Sequence, residues 1–210
     1  EENKYLQLSD NNDGLEDYIF DDHDDAHNVN SYWGISTEAT VEVDQSNGKN
    51  ILKETKLNPE EIDVIIVATI TPDMFFPSCA CLIQKEIGAT NSWGFDLSAA
   101  CSGFIFALET ASNMIKSGSY KKIVVVGVDT MSSILDYTDR NTCVLFGDGA
   151  GAVLIEPSYK NGIIDSIVKI DGAGGDFLYM PGGGSMNPAT IETVRKHLHY
   201  VKQDGASVFK

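Results

Sequence analysis

Two stretches of the chain, Ile62 to Ala68 and Ile123 to Val128, are short and almost wholly apolar. Runs of strand length with that character suit strands covered on both faces, because a strand with one face in water alternates apolar and polar residues. The segments around them carry the helical period instead. After Thr71-Pro72-Asp73, Pro77 and Ser78 lead into a predicted helix from Cys79 to Ile87, closed by Gly88. Trp93 to Leu97 reads as a strand, and Phe104 to Ser117 as a helix whose apolar positions Phe104, Ala107, Leu108, Ala111 and Ile115 share one face before Gly118 ends it. Further strands are predicted at Cys143 to Phe146 and Ala152 to Ile155, flanking a close-packed bend in the glycine-rich run 147–151, and at Gly162 to Ile170. Strands alternating with helices imply βαβ units, hence an α/β chain with a mostly parallel sheet covered by helices.

Residues 1–50 break this pattern. They hold 13 acids against Lys4 and Lys49, a net −11, whereas residues 51–210 hold 18 acids and 13 bases, a net −5, which together make the chain's −16. The division predicted is therefore an acidic, poorly patterned and partly disordered N-terminal segment, 1–50, and a folded domain, 51–210. Charge of this sign argues against nucleic acid and anionic membrane surfaces as partners. No run approaches the roughly 20 apolar residues that span a bilayer, and the acidic start lacks the regions of a signal peptide, so a cytoplasmic location is expected. Asp10-Asn11-Asn12-Asp13-Gly14 hints at a calcium loop, but that register puts Ser9 first and Phe20 last, where an acid and a bidentate Glu are required. His23 and His27 share a face only if their acidic run is helical, and a solvated face is the better reading. No metal is expected. Cys79, Cys81, Cys101 and Cys143 lack paired zinc spacing and read as free thiols.

One of these thiols stands apart. The strand Trp93 to Leu97 runs into Ser98-Ala99-Ala100-Cys101-Ser102-Gly103, a turn of small residues that opens a helix. The unpaired N–H groups of a helix N-terminus favour a thiolate, the nucleophilic form of cysteine. Small neighbours at a strand-to-helix turn also let a nucleophile stand clear of a sheet with its own N–H facing a developing oxyanion. On the residues alone, the competing reading of Cys101 as a small buried hydrophobe stays open. The run Phe146 to Ala152 alternates Gly147, Gly149 and Gly151 but does not match Gly-x-Gly-x-x-Gly, and no P-loop Gly-Lys-Ser/Thr is present, so no nucleotide cofactor is expected. Pro181-Gly182-Gly183-Gly184-Ser185 fits a ligand-wrapping loop and a plain surface loop equally well.

Taken together, several ordered motifs resemble a known family. Ile65-Ile66-Val67-Ala68-Thr69, Phe76-Pro77-Ser78, Ala99-Ala100-Cys101-Ser102-Gly103-Phe104, Thr138-Asp139-Arg140, Phe146 to Ala152, His199-Tyr200-Val201 and Val208-Phe209-Lys210 make residues from about 51 to 210 similar to the N-terminal half of β-ketoacyl-acyl-carrier-protein synthase III. The resemblance implies a thiolase-like fold and an acyltransferase that starts fatty acid synthesis from a short acyl-coenzyme A and malonyl-acyl carrier protein. It implies a homodimer, with coenzyme A as part of a substrate and no cofactor. Cys101 corresponds to the cysteine that accepts the acyl group, and Arg140 to an arginine that contacts coenzyme A, a role suited to a planar permanent cation. Phe76 corresponds to the loop aromatic that crosses the dimer interface to close the partner's acyl pocket.

Two departures qualify that expectation. The catalytic His and Asn of the family belong to a C-terminal half that this sequence is expected to lack, and neither His197 nor His199 is assigned to their place. In residues 1–50, Trp33-Gly34-Ile35 has no nearby arginine, so the coenzyme A contacts the family makes there are not carried over. The alternatives are another acyl-coenzyme A condensing enzyme of the thiolase superfamily, such as a hydroxymethylglutaryl-coenzyme A synthase or a type III polyketide synthase, and a non-catalytic half-domain that binds coenzyme A or a carrier protein.

Overall fold

The computed structural model describes residues 5–8, 51–53, 55–158 and 162–209. The calcium-like tract, His23, His27 and Trp33 lie outside the described residues. The chain divides into two compact units, one made of residues 1–129 and 149–168, the other of residues 130–148 and 169–210.

Among the described residues, the first unit is built on a five-stranded sheet. Its strands are β1 (Tyr5–Leu8), β2 (Val64–Ala68), β3 (Trp93–Leu97), β4 (Ile123–Thr130) and β5 (Asp148–Ser158), in the order β1-β5-β4-β2-β3. Strand β2 runs parallel to both β3 and β4, with Ala68 opposite Leu97 on one side and Gly127 on the other, so the three strands end together. The apolar runs that predict buried strands are β2, buried at every position, and β4, buried from Ile123 to Val126. Side chains of alternate parity face opposite ways along a strand. Ile65, Val67, Val124 and Val126 accordingly join one core with Cys79, Ala80, Ile83 and Ile87 of helix α1 (Cys79–Ile87). Val64, Ile66, Ile123 and Val125 join the other with Ala107, Ala111 and Ile115 of helix α2 (Gly103–Lys116). Each such Ile or Val removed from water contributes about 1.5–3 kcal/mol, which is what holds a helix to each face.

The helix ends are set locally. Ser78 caps α1 by accepting from Cys81 N at 3.2 Å, and Gly88 closes it at φ 73°, a left-handed conformation that costs glycine little. Asp96 of β3 reinforces the start of α1, accepting from Cys79 N at 2.7 Å and Ala80 N at 2.9 Å.

Three expected elements differ in the structure. Cys143 to Phe146 is not a strand: Thr142 N and Cys143 N donate to Asp139 O and Leu145 N to Thr142 O, so turns occupy the N–H groups that a ladder would need. The glycine run is not a close-packed bend. Residues 148–151 are already part of β5, and a Cβ at Gly147 or Gly149 would meet nothing within 4 Å. Gly162 to Ile170 forms no strand, because it joins no ladder among the described residues, and Ile164, Ile167 and Ile170 stand exposed. Conversely, Tyr5–Leu8, within the segment expected to be a solvated arm, pairs antiparallel with β5 and is the edge strand among the described residues, with Tyr5 opposite Ser158 and Leu8 opposite Ile155.

The second unit holds a two-stranded antiparallel ribbon, β6 (Leu178–Tyr179) with β7 (Lys202–Gln203), and the short helices α3 (Ile191–Arg195) and α4 (Gly205–Val208). Val201 N donates to Ile134 O at 2.9 Å, joining its two chain segments.

Candidate active site

In open parallel sheets, ligands bind beyond the carboxyl ends of the strands. At that edge of the first unit the ends of β2, β3 and β4 are laced together. A single carboxylate oxygen of Asp129 accepts from Thr69 Oγ1 at 3.1 Å, Ile70 N at 2.8 Å and Thr71 Oγ1 at 3.1 Å. Thr69 N in turn donates to Leu97 O at 3.1 Å. The loop leaving β2 is thus fixed to β4 by side chain and to β3 by backbone.

Cys101 leaves the sheet at this edge. It is exposed, in a 3-10 turn (Ala100–Ser102) between β3 and α2. Ala100 has φ 47°, a left-handed conformation uncommon outside glycine, asparagine and aspartate. Such backbone outliers cost energy and persist only where their surroundings impose them. Here two close approaches impose the turn. A Cβ on Gly103 would lie 3.2 Å from Ala68 Cβ, so the start of α2 sits directly on the end of β2. A Cβ on Gly127 would lie 2.9 Å from Phe104 Cδ2, so the ring of Phe104 lies on the bare backbone of β4. The helix is therefore drawn down onto the sheet directly after the turn, and Cys101 in that turn is exposed.

Phe76 lies in the loop between β2 and α1, with Met74 and Phe75 beside it, and is 83% exposed. Cys101 and Phe76 thus leave the same sheet edge on loops that follow neighbouring strands. Arg140 belongs to the second unit. It is exposed in a turn region that begins at Asp136, whose Oδ1 accepts from Thr138 N at 3.0 Å and Thr138 Oγ1 at 2.6 Å. The hydroxyl of Thr138 and, after it, the imidazole of His197 at 3.0 Å lower the Asp136 pKa to about 2. The next turn repeats the device, with Asp139 Oδ1 accepting from Asn141 N and Asn141 Nδ2, both at 3.0 Å. None of the four cysteines is disulfide-bonded. No group of three or more potential metal ligands occurs among the described residues, and none of their helices is long and apolar enough to cross a membrane.

Sequence reasoning passes over Asp96, Asp129 and Asp136. The first two share a legible signal, an acid at or next to the carboxyl end of a strand. Asp136 has none, since its partner His197 is 61 residues away.

The family described as 3-oxoacyl-[acyl-carrier-protein (ACP)] synthase III matches residues 95–172. A β-ketoacyl-[acyl-carrier-protein] synthase III of Chlorobium phaeobacteroides is 58% identical over 163 residues, 76% of this chain and 50% of that one. One from Koribacter versatilis is 53% identical over 165 residues, 77% of this chain and 50% of that one. The crystal structure of 3-oxoacyl-[acyl-carrier-protein] synthase III from Aquifex aeolicus VF5 superposes with a TM-score of 0.69 at 37% identity, covering 83% of this chain and 52% of that one. The priming β-ketosynthase of the R1128 polyketide biosynthetic pathway gives 0.73 at 33% identity, with the same two coverages. The chain spans about half the length of the curated relatives it matches.

Proposed function

We propose, from the chain's similarity to β-ketoacyl-acyl-carrier-protein synthases III, that it is the acyl-accepting part of such an enzyme, initiating fatty acid synthesis. In this reading residues 51–210 form a thiolase-like domain bearing the nucleophile Cys101. The observation that carries it is the exposed thiol on a strand-to-helix turn held in a left-handed conformation at Ala100. The names of the relatives favour synthase III over other condensing enzymes of the superfamily.

The chemistry proceeds in two parts. The sulfur of Cys101 attacks the thioester carbonyl of a short acyl-coenzyme A; the new S–C bond forms, the bond to coenzyme A breaks, and coenzyme A leaves as a thiol. The N–H of Cys101 itself is proposed to donate to the negative charge that develops on the carbonyl oxygen. Malonyl-acyl carrier protein then loses CO2, and the electron pair of the broken C–C bond attacks the acyl-Cys101 carbonyl, releasing the 3-ketoacyl product and the thiolate. Arg140 is proposed to contact coenzyme A, and Phe76 to close the acyl pocket of a second copy in a homodimer. The enzyme would work in the cytoplasm without a bound cofactor.

Intact mass after incubation of the full chain with acetyl-coenzyme A tests the first step. A one-acetyl adduct that disappears in Cys101→Ala is the expected result. An adduct that survives Cys101→Ala, or no adduct at all, overturns it; the latter outcome favours a non-catalytic half that only binds coenzyme A or a carrier protein.

A further inference from the structure

Helix α3 ends in a complete Schellman arrangement. Lys196 is its C-cap; the N–H of His197 donates to Val194 O at 3.0 Å, and that of Leu198 donates to Thr193 O at 3.1 Å. The residue after the cap in this motif adopts the left-handed conformation and is usually glycine, sometimes asparagine. Here it is histidine, with φ 55°. A local rule broken in this way calls for a compensating gain elsewhere. The side chain supplies it: His197 Nδ1 lies 3.0 Å from Asp136 Oδ2, across 61 residues of sequence, and the imidazole packs against Tyr200 with ring centroids 5.5 Å apart.

The other oxygen of Asp136 is already engaged. It holds Thr138 N and Thr138 Oγ1, and Asp139 N donates to Asp136 O at 2.9 Å. One carboxylate therefore both shapes the turn and anchors it to the end of α3. Four residues on, Arg140 projects with no ion pair among the described residues. The neighbouring backbone bond from Val201 N to Ile134 O fixes the same two segments at a second point. A planar cation on a long, rotatable stem binds well only when the backbone beneath it is held.

We propose that His197 is a positioning residue for Arg140: its imidazole locks Asp136, and through it the 136–140 turn, so that the guanidinium is presented for the nucleotide end of coenzyme A. The proposal rests on the reading of Arg140 given above.

The test uses the full chain and two probes, coenzyme A itself and S-acetyl-pantetheine, which carries the reactive thioester but no nucleotide. His197→Gly keeps the left-handed backbone at no steric cost and removes the imidazole. His197→Asn also tolerates that backbone and returns an N–H donor near the place of Nδ1. Calorimetry should show His197→Gly weakening coenzyme A roughly fivefold, the equivalent of one net hydrogen bond, with His197→Asn recovering most of it. Acetylation of Cys101 by S-acetyl-pantetheine should be unchanged in both. Equal loss with both probes would mean a purely structural role and overturn the proposal, as would unaltered coenzyme A affinity in His197→Gly. Arg140→Ala separates the two readings. If it weakens coenzyme A while His197→Gly does not, the positioning role falls and the Arg140 reading stands; if it leaves coenzyme A affinity intact, both fall.

Discussion

The position of the thiol rests on two residues that have no side chain. Gly103 lets α2 touch Ala68 at the end of β2, and Gly127 lets the ring of Phe104 lie on β4. Between the end of β3 at Leu97 and these contacts the chain has only a short turn, in which Ala100 takes a left-handed conformation. Adding one methyl at Gly127 sends a Cβ to 2.9 Å from Phe104 Cδ2 and 3.4 Å from its Cβ and Cγ. Rotation of the ring alone does not relieve contacts along its whole stem, so the first turn of α2 must rise. Gly127→Ala should therefore cost about 1–3 kcal/mol, the usual range for overpacking, read as a lowered urea midpoint. It should also slow alkylation of Cys101, because the turn is carried by the helix that moves. Unchanged stability together with an unchanged alkylation rate would show that the close approach does not set the turn.

At the scale of elements, the join between the 136–140 turn and the end of α3 carries a pH signature. Asp136 is held well below the ordinary carboxylate value, at about 2, first by the Thr138 hydroxyl and then by His197. A group whose pKa is lower folded than unfolded stabilises the fold above its unfolded pKa, near 3.9, and that contribution is lost as pH falls through the folded value. The difference in urea midpoint between the native chain and Asp136→Asn should accordingly be constant above about pH 4.5 and shrink between about pH 4 and pH 2. A difference that stays flat through that window would mean that Asp136 titrates alike in both states. The same join shows where sequence reasoning stops. Helix α1 and strand β3 were legible to the residue because their signals are local: the Ser78 cap, the Gly88 stop, and an apolar run bounded by turns. Strand β1 was not, since four residues become a strand only by pairing with β5 some 150 residues away. The strand expected at Gly162 to Ile170 failed for the converse reason, an apolar pattern that meets no ladder among the described residues. At the site, Cys101 could be singled out from its small neighbours, whereas the roles of Asp129 and His197 exist only in three dimensions.

At the scale of the whole molecule, the first unit leaves apolar surface that a lone copy would have to hydrate. Among the described residues, strand β3 is the outermost strand of its sheet, Trp93 on it is 47% exposed, and Phe75 and Phe76 stand almost bare in the loop after β2. An exposed sheet edge beside large apolar side chains is a template for a second chain. This supports the proposed homodimer, in which Phe76 of each copy closes the acyl pocket of the other. If so, the effect of a Phe76 substitution belongs to the partner's cysteine and not to its own, and mixed dimers reveal it. In Phe76→Ala homodimers both pockets lose their closing ring, and acetylation of Cys101 by acetyl-coenzyme A should slow by roughly tenfold, in keeping with the loss of one well-packed aromatic contact. In dimers of one Phe76→Ala protomer with one Cys101→Ala protomer, the only thiol at position 101 lies on the Phe76→Ala chain, and its pocket is closed by the intact Phe76 of the other. Acetylation in those mixed dimers should return to the native rate per remaining cysteine. A rate that stays as slow as in the Phe76→Ala homodimer would place Phe76 in its own protomer's pocket, and the shared site would have to be abandoned.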